Sequence, residues 1–110
     1  TPLALLFLLS ATAISAHDWP QSCDQAANRL VANLSDTVRS ELKQAPYLGL
    51  SEFHFSLGLH IRNSFGLWNG NEPLIEDCKV NARSYIPTQL HPDDISGEII
   101  TRAWWALQQK

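Results

Sequence analysis

Between Ser51 and Ser64 the apolar side chains recur at a spacing that suits a helix and not a strand. At 100° per residue, Phe53, Leu57, His60 and Ile61 fall on one face, and Phe55, Leu59 and Arg62 fall nearly opposite. A helix that is apolar on two sides needs neighbours on two sides. The segment is therefore expected to be the central helix of a bundle. Ser51 supplies an N-cap, Glu52 sits where the positive end of the helix dipole favours an acid, and Gly66 ends the element. Gly58 lies between the two faces and lets a neighbouring backbone approach closely.

The flanking segments are also helical in pattern. Ser22 caps a helix from Cys23 to near Ala32, with Ala26, Ala27, Leu30 and Val31 as its apolar positions. A second helix runs from Ser35 or Asp36 to Gln44 and stops at Pro46, since the residue before a proline avoids helical geometry. Pro46-Tyr47-Leu48-Gly49 and Trp68-Asn69-Gly70-Asn71 read as turns. Asn71 and Pro73 open a short helix to Lys79, and Val80–Leu90 reads as irregular. A last helix from Pro92 to near Gln108 has Ile95, Ile99, Ala103 and Ala106 as its core face, flanked by Ile100 and Leu107. No run of alternating apolar residues predicts a sheet. The expected fold is all-α, a small orthogonal bundle of four to five helices with one disulfide.

The disulfide follows from compartment. Leu3–Ile14 is apolar and uncharged and ends in small residues, so residues 1–16 read as a signal peptide cleaved after Ala16, with Ala13 as the second option. The run is too short to span a bilayer, which takes about 20 apolar residues. Thr1 is preceded by no methionine or basic leader, so further N-terminal residues are expected. Cys23 follows Pro20-Gln21-Ser22, which is not a lipoprotein context, so no stable membrane anchor is expected after cleavage. Residues 17–110 then form one exported domain, periplasmic or secreted, in which an even count of two cysteines favours a Cys23–Cys78 bond. Neither cysteine has a second Cys or His at ligand spacing, so no metal is expected.

The formal charge is −3, from 8 basic and 11 acidic residues that read as interspersed. No basic patch points to nucleic acid, and no basic amphipathic helix points to a membrane surface. No Gly-x-Ser-x-Gly, phosphate loop or activated cysteine is present, so no catalytic residue and no cofactor is expected. His91-Pro92-Asp93-Asp94 offers an acid pair for proton transfer, but proline and carboxylates are also what a helix start demands, and that reading is preferred. His54 and His60 stand about 120° apart on a helix and cannot share a metal as an i, i+4 pair does; His60 is expected in the core. An N-terminal His17 could bind copper, but the enzymes that use this device are β-sandwiches. Arg62-Asn63 could grip a carboxylate or phosphate. The helix dipole favours a structural cation there instead, with Arg62 paired to Asp93 or Asp94. Trp105, pointing away from the core face, is the best single anchor for a partner, unless Trp19-Pro20 covers it. Asn33-Leu34-Ser35 is a glycosylation triplet only in a eukaryotic host.

The stretch Phe53–Trp68, with its Arg62-Asn63-Ser64-Phe65-Gly66-Leu67-Trp68 end, and the later His91-Pro92-Asp93-Asp94-Ile95-Ser96 resemble a small bacterial family of unknown function. The resemblance covers roughly residues 42–107. It implies short helical domains, a bacterial host and a periplasmic location. It groups Arg62, Asn63, Trp68, Asp93 and Asp94 without implying an activity. The expected function is non-enzymatic: a protein-binding module, such as an immunity or inhibitor protein. The alternative is a small enzyme or ligand binder using Arg62 and the Asp93/Asp94 pair.

Overall fold

The computed structural model describes residues 18–82 and 91–110. The expected signal peptide, His17 and most of the Val80–Leu90 stretch lie outside the described residues.

The chain forms α1 (Cys23–Asn33), α2 (Asp36–Gln44), a 3₁₀ stretch (Tyr47–Phe53) running into a π turn (His54–Gly58), α3 (Leu59–Ser64), α4 (Glu72–Val80) and α5 (Pro92–Gln108). No strand occurs among the described residues, so the fold is all-α. Side-chain caps set most of the helix starts. Ser22 Oγ accepts from Gln25 N–H, Ser35 Oγ from Val38 N–H, and Asn71 Oδ1 from Leu74 N–H. At α5 the cap is reciprocal: His91 Nδ1 accepts from Asp93 N–H at 3.0 Å, and the Asp94 carboxylate accepts from His91 N–H at 3.2 Å.

The centre of the fold is α5, not the Ser51–Ser64 segment. α5 packs on every other helical element and buries Ile95, Ile99, Ile100, Ala103 and Leu107 against them. The Tyr47–Ser64 segment is helical throughout but packs on one side only. Its buried residues are Leu50, Leu57, Gly58, Ile61 and Arg62, continuing to Phe65. Phe55 is 82% exposed and Leu59 48% exposed. His60 is exposed rather than in the core, with Nδ1 3.3 Å from Ser64 Oγ. The reason is geometric. A 3₁₀ stretch turns 120° per residue and a π turn less than 100°, so a uniform α wheel assigns the faces wrongly. The stretch Pro46–Gly49 is likewise not an isolated turn but the entry to the 3₁₀ stretch, where Gly49 N–H donates to Pro46 O at 2.8 Å.

Cys23 and Cys78 form the disulfide, with both residues fully buried, and join the first turn of α1 to α4. Asp77 Oδ2 reinforces the junction by accepting from Cys23 N–H at 2.7 Å. The N-terminal arm is clamped nearby. Asn71 Nδ2 donates to Pro20 O and to Phe65 O. The Trp19 ring lies on Gly66, whose φ is +76° and whose missing side chain makes the space: a Cβ there would stand 2.5 Å from the ring. Trp19 and Pro20 thus pack on the Phe65–Asn71 turn. Among the described residues no helix is long and apolar enough to cross a membrane.

Candidate functional site

The π turn and the start of α5 meet around Arg62. This side chain is only 5% exposed. Its Nε lies 3.2 Å from Asp93 Oδ1 without pointing at it, so the pair is held by charge rather than by a directed hydrogen bond. Nη1 donates to Ser96 Oγ at 3.1 Å, and Nη2 reaches His54 O at 3.5 Å. Gly58 leaves the space for this, since a Cβ there would sit 2.7 Å from Nη1. The guanidinium is a tie between two elements and is not presented to solvent. The expected Arg62–Asp93 pair is therefore present, whereas Asp94 serves the α5 cap.

Beside this tie runs a cleft of about 440 Å³ between the 3₁₀/π segment and α5. Leu50, Phe55 and Ile100 give it an apolar wall, and His54, Asp93 and Asp94 a polar end. His54 Nε2 and His91 Nδ1 stand 3.7 and 3.5 Å from Asp93 Oδ2. Arg62 does not line the cleft, nor does any other Arg or Lys. The volume is that of a small-ligand or single-side-chain site, and its outer lip continues into the exposed side chains of the segment.

Of the other residues singled out in the sequence, Trp68 is half-exposed and meets the His91 ring edge-on at 5.7 Å, which brings it to the same end of the cleft. Asn63 is exposed on α3. Trp105 is elsewhere. It stands twelve residues beyond Asp93, about 18 Å along α5, exposed beside a smaller groove of about 270 Å³ with Asp24, Arg102 and Ala106. Trp19 does not cover it, but the Trp104 ring meets it edge-on at 5.1 Å.

Two features had escaped the pattern reading. One is an ion network around the buried Arg102 and Glu98, with the exposed Asp24 at its outer side. Arg102 Nε donates to Glu98 Oε2 at 3.0 Å, Nη1 donates to Asp24 Oδ1 at 2.7 Å, and Nη2 to Asn81 O. Burial works against the charge, but the hydrogen bonds and attraction of Asp24 and Glu98 outweigh it and raise the Arg102 pKa. The i, i+4 spacing of Glu98 and Arg102 was the available signal. The other is a stripe of exposed apolar side chains along the segment: Leu48, 89% exposed, then Phe55 and Leu59. Among the described residues no His, Cys, Asp and Glu side chains gather as a metal site.

A family model described as "Domain of unknown function (DUF6794)" matches residues 19–107. This agrees with the type of family that the Arg62–Trp68 and His91–Ser96 stretches resemble, and it brings no activity with it. No curated protein and no solved structure matches the chain.

Proposed function

We infer that this chain, which belongs to the family described as a domain of unknown function (DUF6794), is an exported helical module that works by binding another protein. The disulfide-tied fold suits an oxidising compartment, and the uncharged apolar run at Leu3–Ile14 is the export signal in this reading. The observation that carries the binding role is the Leu48–Phe55–Leu59 stripe. Three large apolar side chains stand exposed along one short segment, beside a cleft whose buried cation is already engaged internally. Arg62, Asp93 and Asp94 then act as the scaffold that holds this surface, while Trp68 adjoins the polar end of the cleft and Trp105 stands apart. An immunity or inhibitor protein against a secreted toxin or wall hydrolase fits this size and acidic balance.

The test is affinity capture from the host's exported fraction, with the wild-type chain, Phe55→Ser and Trp105→Ser as baits. A partner held by wild type and Trp105→Ser but released by Phe55→Ser supports the reading. Identical captures by all three baits argue against it. A second reading, a small-ligand site, draws on one observation: His54, Asp93 and Asp94 converge at the end of a cleft of ligand size. Native mass spectrometry of the purified protein distinguishes it, since a bound small molecule lost with Asp94→Asn favours that role.

A further inference from the structure

We propose that the start of α5 is a proton-operated switch: His91 caps the helix while its imidazole is neutral and turns to the Asp93 carboxylate once it is protonated. The proposal does not depend on the protein-binding role.

The cap fixes the protonation state. Asp93 N–H donates to His91 Nδ1 at 3.0 Å, so this nitrogen carries a lone pair and the ring proton sits on Nε2. The serine and asparagine caps of α1, α2 and α4 accept through oxygens that do not titrate near neutrality. An imidazole is the side chain whose ordinary titration falls between about pH 5 and pH 8. A proton taken from solvent onto Nδ1 turns the acceptor into a donor. The bond from Asp93 N–H is then lost, and the new charge faces the positive end of the helix dipole.

The surroundings offer that proton a second partner. Asp93 Oδ2 stands 3.5 Å from the same Nδ1, two acceptors with no hydrogen between them in the neutral form. A turn of the half-exposed ring lets the protonated nitrogen donate there, in a charge-assisted bond. Among the described residues, the other charged and titratable groups at this carboxylate come from three elements. His54 Nε2, from the π turn, is 3.7 Å from Oδ2, and Arg62 Nε, from α3, is 3.2 Å from Oδ1. Asp94, on α5 itself, accepts from His91 N–H and holds that half of the cap in either state. A charge on His54 pulls on the same oxygen but leaves the cap untouched, so the two rings are separable by mutation. Trp68 meets the His91 ring edge-on and shifts with it. The switch thus frees the Asp93 N–H and adds a positive charge beside the polar end of the cleft.

The test is an NMR titration of the isotope-labelled, disulfide-bonded protein from about pH 8 to about pH 5. Long-range proton–nitrogen spectra read which ring nitrogen of His91 carries the proton. The coupling between Asp93 N and His91 Nδ1 through the hydrogen bond reads the cap. At the upper pH the Nε2–H form and the coupling are expected. At the lower pH the coupling is lost, and the Asp93 amide and Trp68 indole signals move. His91→Asn, which caps without titrating, is expected to hold the Asp93 amide in place, and His54→Gln to leave the transition intact. A proton on Nδ1 at the upper pH, a coupling that survives at the lower, or an Asp93 amide that moves as far in His91→Asn overturns the switch. A transition abolished by His54→Gln belongs to that ring and overturns the proposal too.

Discussion

At the scale of single residues, two glycines carry more of the fold than their size suggests. Gly66 combines a left-handed backbone with a Trp19 ring on its Cα, so Gly66→Ala faces both strain and a collision that the Trp19 ring must move to relieve. Urea melts are expected to show a loss of about 2–4 kcal/mol. Gly58→Ala meets only the tip of Arg62. That tip is pinned by Ser96 and Asp93, however, so a smaller loss of about 1–2 kcal/mol is expected. The ordering of the two is the checkable point. Arg62→Ala leaves Asp93 partly hydrated, which keeps the cost to about 2 kcal/mol, below that of breaking a fully buried pair. Much of this was legible in advance. The helix dipole favours an arginine near one helix end and acids at the start of the last helix, which made these two groups candidates for a pair. The choice of Asp93 over Asp94 was not, because it depends on His91 recruiting Asp94 into the α5 cap.

At the scale of elements, the caps and prolines marked the helix ends closely: Ser22, Ser35, Asn71 and the His91-Pro92 start all stand where the pattern put them. The Tyr47–Ser64 segment is where the pattern failed. Its wheel scored apolarity at a constant 100° per residue, but the backbone passes through three helical pitches, and a charged side chain takes a place inside while Phe55 and Leu59 remain outside. The consequence for mutation is plain. Phe55→Ser should change stability by no more than about 0.5 kcal/mol, whereas Leu57→Ala, two positions on and buried, should cost about 2–3 kcal/mol. Paired chemical melts of the two variants decide the matter. A large loss on changing Phe55 would mean that the segment packs on both sides after all. Native-state hydrogen exchange offers a second measure. Amides of the 3₁₀ and π turns should open more readily than those in the middle of α5, which lies under every other element.

For the molecule as a whole, the all-α fold and the cysteine pairing followed from the residue pattern and the even cysteine count, while the identity of the hub did not. α5 became the hub because its apolar positions meet all the other elements, a fact that lives in long-range packing and not in its own periodicity. The disulfide closes a loop with a sequence separation of 55 and ties α1 to α4, two elements that also share the Asp77 contact. Chain entropy sets an upper figure of about 4 kcal/mol for that closure, and a double Cys23→Ala, Cys78→Ala variant is expected to lose about 2–4 kcal/mol in denaturant melts. Both sulfurs lie beneath α1 and α4 with no surface of their own. A reductant in solution therefore reaches them only in molecules that have already come apart. The pace at which free thiol appears under mild reductant then serves as a clock for the opening of the whole protein.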